Sequence, residues 1–222
     1  RMNFRMARMQ AESEGMECAT VIACDDIASA PAEQREKRRG IAGILFAYKI
    51  AGACAETGAE LAEVMRIAQQ VVDETRTFGV SLSACTIPAV GKPNFSIKEG
   101  KMEIGMGIHG EPGLEQSPML SADATAERLL KQILADNPCP AGSRIAVLIN
   151  GLGATPLEEL YILYRRVAQL CAQHQITIHR AYVGEFATSL EMAGASVSVL
   201  KLNDTLIPLL DAPCDSPFFM QV

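Results

Sequence analysis

"SRIAVLIN", residues 143–150, sets five consecutive apolar residues between Arg144 and Asn150. A short unbroken apolar run is the pattern of a strand buried on both faces. The stretch that follows, "GLGATPLEELYILYRRVAQLCAQHQ" (residues 151–175), turns at two glycines and becomes a helix. Thr155 suits the N-cap, Pro156 the first helical position and Glu158 the far corner of a capping box. Leu160, Leu163, Tyr164, Val167 and Cys171 then share one face. A buried strand feeding an amphipathic helix predicts an α/β domain.

Further strands are expected toward the C-terminus at "ITIHRAYVG" (176–184), "ASVSVLKL" (195–202) and "TLIPLL" (205–210), with a short helical stretch around 188–192. Upstream, "TAERLLKQIL" (125–134) reads as a helix broken by "NPCPAG" (137–142). "FSIKEGKMEIGMGIH" (95–109) reads as a hairpin turning at residues 98–101, where Gly100 supplies the turn conformation. "VSLSACTIP" (80–88) and "MECATVIACDD" (16–26) read as strands. Residues 40–58 and 60–79 read as helices that each stop at a glycine. The opening "RMNFRMARMQAESEG" looks like a helix already under way, which suggests a piece of something longer. The small residues Ala42, Gly43, Ala47, Ala51 and Gly52 would let another element approach closely, inside the domain or across a contact. Together these predict one α/β domain over residues 1–222. It has a mixed, mostly parallel sheet with one hairpin, and helices packed mainly on one face.

The 222 residues carry a formal net charge of -6 and no clustered basic stripe, which argues against nucleic acid and anionic membranes as partners. The one basic cluster, "REKRRG" (35–40), is expected to cap or precede a helix. Seven cysteines without CxxC or zinc-type spacing read as small buried hydrophobes of a reducing compartment. No metal site, signal peptide or membrane-length apolar run is visible, so a cytoplasmic protein is expected.

Three stretches invite chemistry. "GLGAT" (151–155) could hold a phosphate at a helix N-terminus or be a structural turn; it matches neither GxGxxG nor a P-loop. Asn150 could hydrogen-bond within that turn. "TIPAVGKPNF" (86–95) is a rigid loop, or it places Lys92 beside an anionic substrate. "EIGMGIHGEPG" (103–113) sets His109 at the mouth of a strand. Gly105 and Gly107 would leave one face of that strand bare, Gly110 frees the backbone, and Glu111 is close enough to orient the ring. A neutral imidazole in such a setting is a competent nucleophile or base near neutral pH. His174 and His179 lack this setting; one should end a helix and the other lie along a strand.

"EKRRGIAG", "CTIPAVGKP", "GMGIHGEPG" and "NGLGATPLEELY", in that order, resemble the substrate-binding subunit of the dihydroxyacetone kinases, over its C-terminal part. The resemblance implies that His109 attacks the ketone carbon of dihydroxyacetone and holds it as a covalent hemiaminal, with Gly107, Gly110 and Glu111 beside the substrate. Glycerol has no carbonyl and would not be captured. It also implies that the phosphoryl group comes from ATP, or from ADP-bound intermediates of a phosphotransfer system. That nucleotide, with magnesium, sits on a separate nucleotide-binding subunit or domain, so no cofactor is expected in this chain and "GLGAT" becomes scaffold. A homodimer is implied as well. The family's catalytic aspartate would fall just upstream of Arg1, and its glycine-rich substrate loop and second histidine further upstream. An upstream domain is therefore expected to be missing and the chain alone to be inactive. Two alternatives remain: a dimerisation or partner-docking module, and a small-ketose-sensing homologue. The resemblance does not separate three-carbon from four-carbon ketoses.

Overall fold

Alternating residues of three neighbouring strands feed two different cores, so the sheet is an inner layer. The computed structural model describes residues 2–93, 95–105 and 113–222. Its helices are α1 (Met2–Ser13), α2 (Ile44–Glu56), α3 (Leu61–Glu74), α4 (Ala122–Asp136), α5 (Leu157–Gln173) and α6 (Leu206–Asp211), with a 3-10 helix at Ala32–Lys37. Its strands are β1 (Thr75–Ser81), β2 (Thr86–Ile87), β3 (Lys92–Pro93), β4 (Lys101–Ile104), β5 (Glu115–Pro118), β6 (Arg144–Gly151), β7 (Thr177–Gly184), β8 (Gly194–Leu202), β9 (Cys214–Asp215) and β10 (Met220–Gln221). The main sheet has the order β5-β4-β1-β8-β6-β7.

The mixed α/β architecture holds, but the sheet is mostly antiparallel rather than mostly parallel. Only β6 and β7 run parallel, joined by the crossover helix α5; every other neighbouring pair is antiparallel. Burial on both faces reports the layers above and below a strand, not the direction of its neighbours. The helices also cover both faces instead of mainly one. Ile145, Val147 and Ile149 of β6 pack with Leu129 and Ile133 of α4 and with Leu163 and Val167 of α5. Ala146 and Leu148 point the other way, against Phe46 and Ile50 of α2, Val71 of α3 and Leu206 of α6.

Several local expectations change. α3 ends at Glu74 and β1 begins at Thr75, so residues 75–79 are strand, not the tail of a helix. β1 is buried along its whole length, and that burial overrides the helical periodicity running into it. The stretch expected as a strand at 205–210 instead holds α6, Leu206–Asp211, because the Asn203 side chain accepts the amides of Thr205 and Leu206 and caps a helical turn. Residues 188–192 are turn and bridge, not helix. Residues 16–26 are mostly irregular and touch the sheet through a bridge from Asp26 to Thr77. The hairpin consists of β4 and β5, not of residues 95–98 against 101–109, although Gly100 does turn the chain with φ +71°.

The basic cluster does lie at a short helix, and Arg38 and Arg39 spend their charges internally. Arg38 bonds both oxygens of Asp136 and the Ala30 carbonyl, and Arg39 pairs with Asp26. The small residues at the start of α2 serve internal packing. A Cβ on Gly43 would lie 2.6 Å from Thr75 Cγ2 and 2.7 Å from Asp25 Oδ2, whereas Gly52 faces open space. Among the described residues, no helix is long and apolar enough to cross a membrane.

Candidate functional site

His109, Gly107, Gly110 and Glu111 lie outside the described residues; the structure describes the two ends that hold them. Residues 105–114 connect β4 to β5. At one end the Gly105 amide donates to the Gly79 carbonyl at 2.8 Å, and at the other the Leu114 amide donates to the Ile104 carbonyl at 2.8 Å. Gly105 does not clear a strand face. It has φ +76°, and a Cβ there would come within 2.9 Å of Ala28 Cβ and 3.1 Å of Leu114 Cγ. Its role is to let the chain leave β4 in a left-handed turn packed against Ala28, Leu114 and Phe78.

Cross-strand register defines the sheet face beside this hairpin. Ser81 lies opposite Glu103, Gly79 opposite Ser196, Asn150 opposite Ser196, and Thr77 opposite Ser198. These residues are on the face that carries Ala146, Leu148 and Leu200 further along. That face therefore changes from apolar, under α2 and α6, to small and polar toward the hairpin. Its polar groups are satisfied. Thr77 donates to Asp25 Oδ2 at 2.6 Å and lies 2.7 Å from the Ser198 hydroxyl. Asn150 accepts the amides of Phe186 and Ala187 at 2.8 Å each, so it braces the turn after β7 rather than its own turn. Sequence reasoning missed this polar face; its trace is the alternation of serine and threonine in "TRTFGVS" and "ASVSVL".

Two adjacent carboxylates sit at the edge of the same region. Asp25 accepts the amides of Ile41 and Gly43 as well as the Thr77 hydroxyl, and burial pushes its carboxyl up. Asp26 accepts the Ala28 amide and the Arg39 guanidinium; burial outweighs the pull of Arg39 and pushes it up to about 6. Unfolded, this carboxyl would titrate near 3.8. Between those values the folded chain binds the extra proton, so stability falls as pH rises through that window, by on the order of 3 kcal/mol. Urea denaturation should give a higher midpoint near about pH 5 than near about pH 7, with the slope flattened in Asp26→Asn.

"GLGAT" is tied into the fold. Gly153 has φ +129°, and a Cβ there would fall 1.8 Å from the Leu190 carbonyl oxygen. Thr155 does not complete a capping box. Its hydroxyl donates to the Gly194 carbonyl and accepts the Gly194 amide, both at 2.8 Å, and Pro156 holds the N-cap position with no side-chain cap. The long-range pair with Gly194 outcompetes the local cap. A shallow cavity of about 520 Å³ opens here, with Glu185 in its lining, and a carboxylate beside a helix N-terminus disfavours phosphate. Gly153→Ala should cost about 3 kcal/mol of stability, from a strained backbone plus a clash, read as a lowered denaturation midpoint.

Lys92 is exposed on β3, paired with β2 in a small hairpin whose Thr86 amide donates to Glu191 at 2.7 Å. His174 ends α5 and is exposed, and His179 lies on β7, 2.7 Å from Asp211. Among the described residues, no three His, Cys, Asp or Glu side chains are grouped to hold a metal ion.

The Dak1 domain model matches residues 1–218. This chain belongs to the Dak1 domain family. It is 42% identical over 218 residues to the PTS-dependent dihydroxyacetone kinase 2, dihydroxyacetone-binding subunit DhaK, of Listeria innocua, covering 98% of this chain and 65% of that protein. It is 41% identical over 222 residues to the L-erythrulose kinase of Pectobacterium atrosepticum, covering 98% of this chain and 38% of that one. The Dak1 chain therefore spans only part of the length of the relatives it matches. Among solved structures, the dihydroxyacetone kinase operon co-activator DhaQ superposes with a TM-score of 0.87 at 29% identity, over 95% of this chain and 65% of its own.

Proposed function

We propose that this Dak1 chain is the ketose-capturing part of a dihydroxyacetone-type kinase, with His109 as the covalent ligand. The observation that carries the reading is the family match running through "GIHGEPG" on a hairpin whose two ends are tightly fixed. An imidazole nitrogen adds its lone pair to the ketone carbon, and the C=O electron pair moves to oxygen. That oxygen takes up one proton while the other ring nitrogen gives one up. The product is a neutral hemiaminal with the mass of the protein plus one intact ketose. Gly107, Gly110 and Glu111 flank the captured substrate. One of the two terminal hydroxyls is then the phosphoryl acceptor.

The phosphoryl group comes from ATP, or from an ADP-bound intermediate of a phosphotransfer system, with magnesium, on a nucleotide-binding subunit or domain that docks onto this one. A second copy of the chain completes the assembly, in the cytoplasm. The chain alone is expected not to turn over. Native mass spectrometry with dihydroxyacetone and with glycerol tests the capture: a one-ketose adduct with dihydroxyacetone alone is expected, and equal occupancy by glycerol would sink the reading.

A second reading, a ketose-sensing regulator, is favoured by the likeness to DhaQ, which is described as a co-activator. It predicts ketose binding without phosphorylated product when a nucleotide-binding kinase subunit and ATP are supplied to the chain joined to a relative's upstream segment.

A further inference from the structure

Among the described residues, the backbone bond of the β4–β5 hairpin nearest its connection is from the Leu114 amide to the Ile104 carbonyl. Among those residues the next amide, that of Gly113, meets no backbone carbonyl. The Glu103 side chain takes it instead: Gly113 N–H donates to Glu103 Oε1 at 2.8 Å, while Gln116 Nε2 donates to Glu103 Oε2 at 3.3 Å. Glu103 is only 9% exposed, on the polar sheet face opposite Ser81. Gly113 is shaped for the contact, since a Cβ there would lie 2.6 Å from the Ile104 carbonyl oxygen and 2.7 Å from Glu103 Cγ. A long carboxylate buried against a sheet loses hydration, and here its compensation is neutral backbone and amide N–H groups aimed at it.

We infer that Glu103 is a positioning residue: by binding the Gly113 amide it extends the fixed base of the hairpin one residue toward His109 and so limits where the imidazole can stand. The inference rests on the reading of His109 given above. Its physical content is reach rather than charge. Glu103→Gln keeps an oxygen at the same distance and drops the charge, whereas Glu103→Asp keeps the charge and withdraws it by one methylene.

Two readouts on the full chain test it. Hydrogen exchange at the Gly113 amide needs no ketose; it should speed up about tenfold or more in Glu103→Asp and stay near wild type in Glu103→Gln, with the Leu148 amide in the core unchanged in both. The apparent dissociation constant for dihydroxyacetone, from adduct occupancy in native mass spectra, should rise about tenfold in Glu103→Asp and little in Glu103→Gln. Unaltered exchange and capture in Glu103→Asp would overturn the inference, as would Glu103→Gln failing as badly as Glu103→Asp. An adduct that persists in His109→Ala, or none in wild type, would instead defeat the His109 reading, and Gly113 exchange would still judge the tie.

Discussion

Asp136→Asn should lower the unfolding free energy by about 3–5 kcal/mol, the largest stability loss expected of any single polar substitution in this chain. The carboxylate at the end of α4 accepts Arg38 through both oxygens, at 2.9 and 2.5 Å, and also accepts Arg76 Nε. Arg38 is 2% exposed and Arg76 7%. An asparagine keeps the volume but leaves two buried guanidinium groups facing a neutral amide, half of which is itself a donor. Such charges cannot return to water without opening the contact between α4, β1 and the segment that leads into α2. Burial alone would raise the Asp136 carboxyl, but the hydrogen bonds and charges of Arg38 and Arg76 together hold it below the usual carboxylate range. Its stabilisation is therefore present above the ordinary carboxylate range and lost as pH falls through the depressed value, the opposite sense to Asp26. Urea denaturation of wild type and variant checks the size, and a loss below about 1 kcal/mol would mean that the cluster is not a buried ion network.

His109→Ala should abolish the ketose adduct, while His174→Ala and His179→Ala leave it intact. The contrast is chemical. His174 stands exposed at the end of α5, and His179 already shares a proton-bearing contact with Asp211 on the far edge strand β7. Neither belongs to the hairpin connection. Alanine at position 109 removes the one nucleophilic nitrogen of the "GIHGEPG" segment, and noncovalent contacts to three hydroxyl-sized groups bind a small ketose only weakly. The three variants are compared by native mass spectrometry at one ketose concentration. An adduct lost in His179→Ala but kept in His109→Ala would move the capture site to the opposite edge of the sheet.

The central βαβ unit was legible because its signals are local. The unbroken run Ile145–Ile149 can only be buried, and the apolar face from Leu160 to Cys171 can only be helical. Strand direction was not legible, because it depends on where β8 returns: it inserts between β1 and β6, antiparallel to both. The boundary at Thr75 was hidden for a similar reason, since no glycine or proline marks the end of α3 and only the β-branched Thr75 and Thr77 hint at a strand. The short helix α6 reads as a strand from its apolar run alone, because the Asn203 cap that turns it reveals itself only in three dimensions. At the site, the histidine segment stood out by its glycines. The tie at its described end did not, because Glu103 and the Gly113 amide meet only once β4 has paired with β5.

The covalent bond itself is the central claim, and carbon NMR of dihydroxyacetone labelled at its carbonyl carbon tests it most directly. Bound to the chain, that carbon should leave the ketone range for the range of a tetrahedral carbon carrying oxygen and nitrogen, and the signal should vanish in His109→Ala. A bound ketose whose labelled carbon keeps its ketone or hydrate shift would contradict capture through His109.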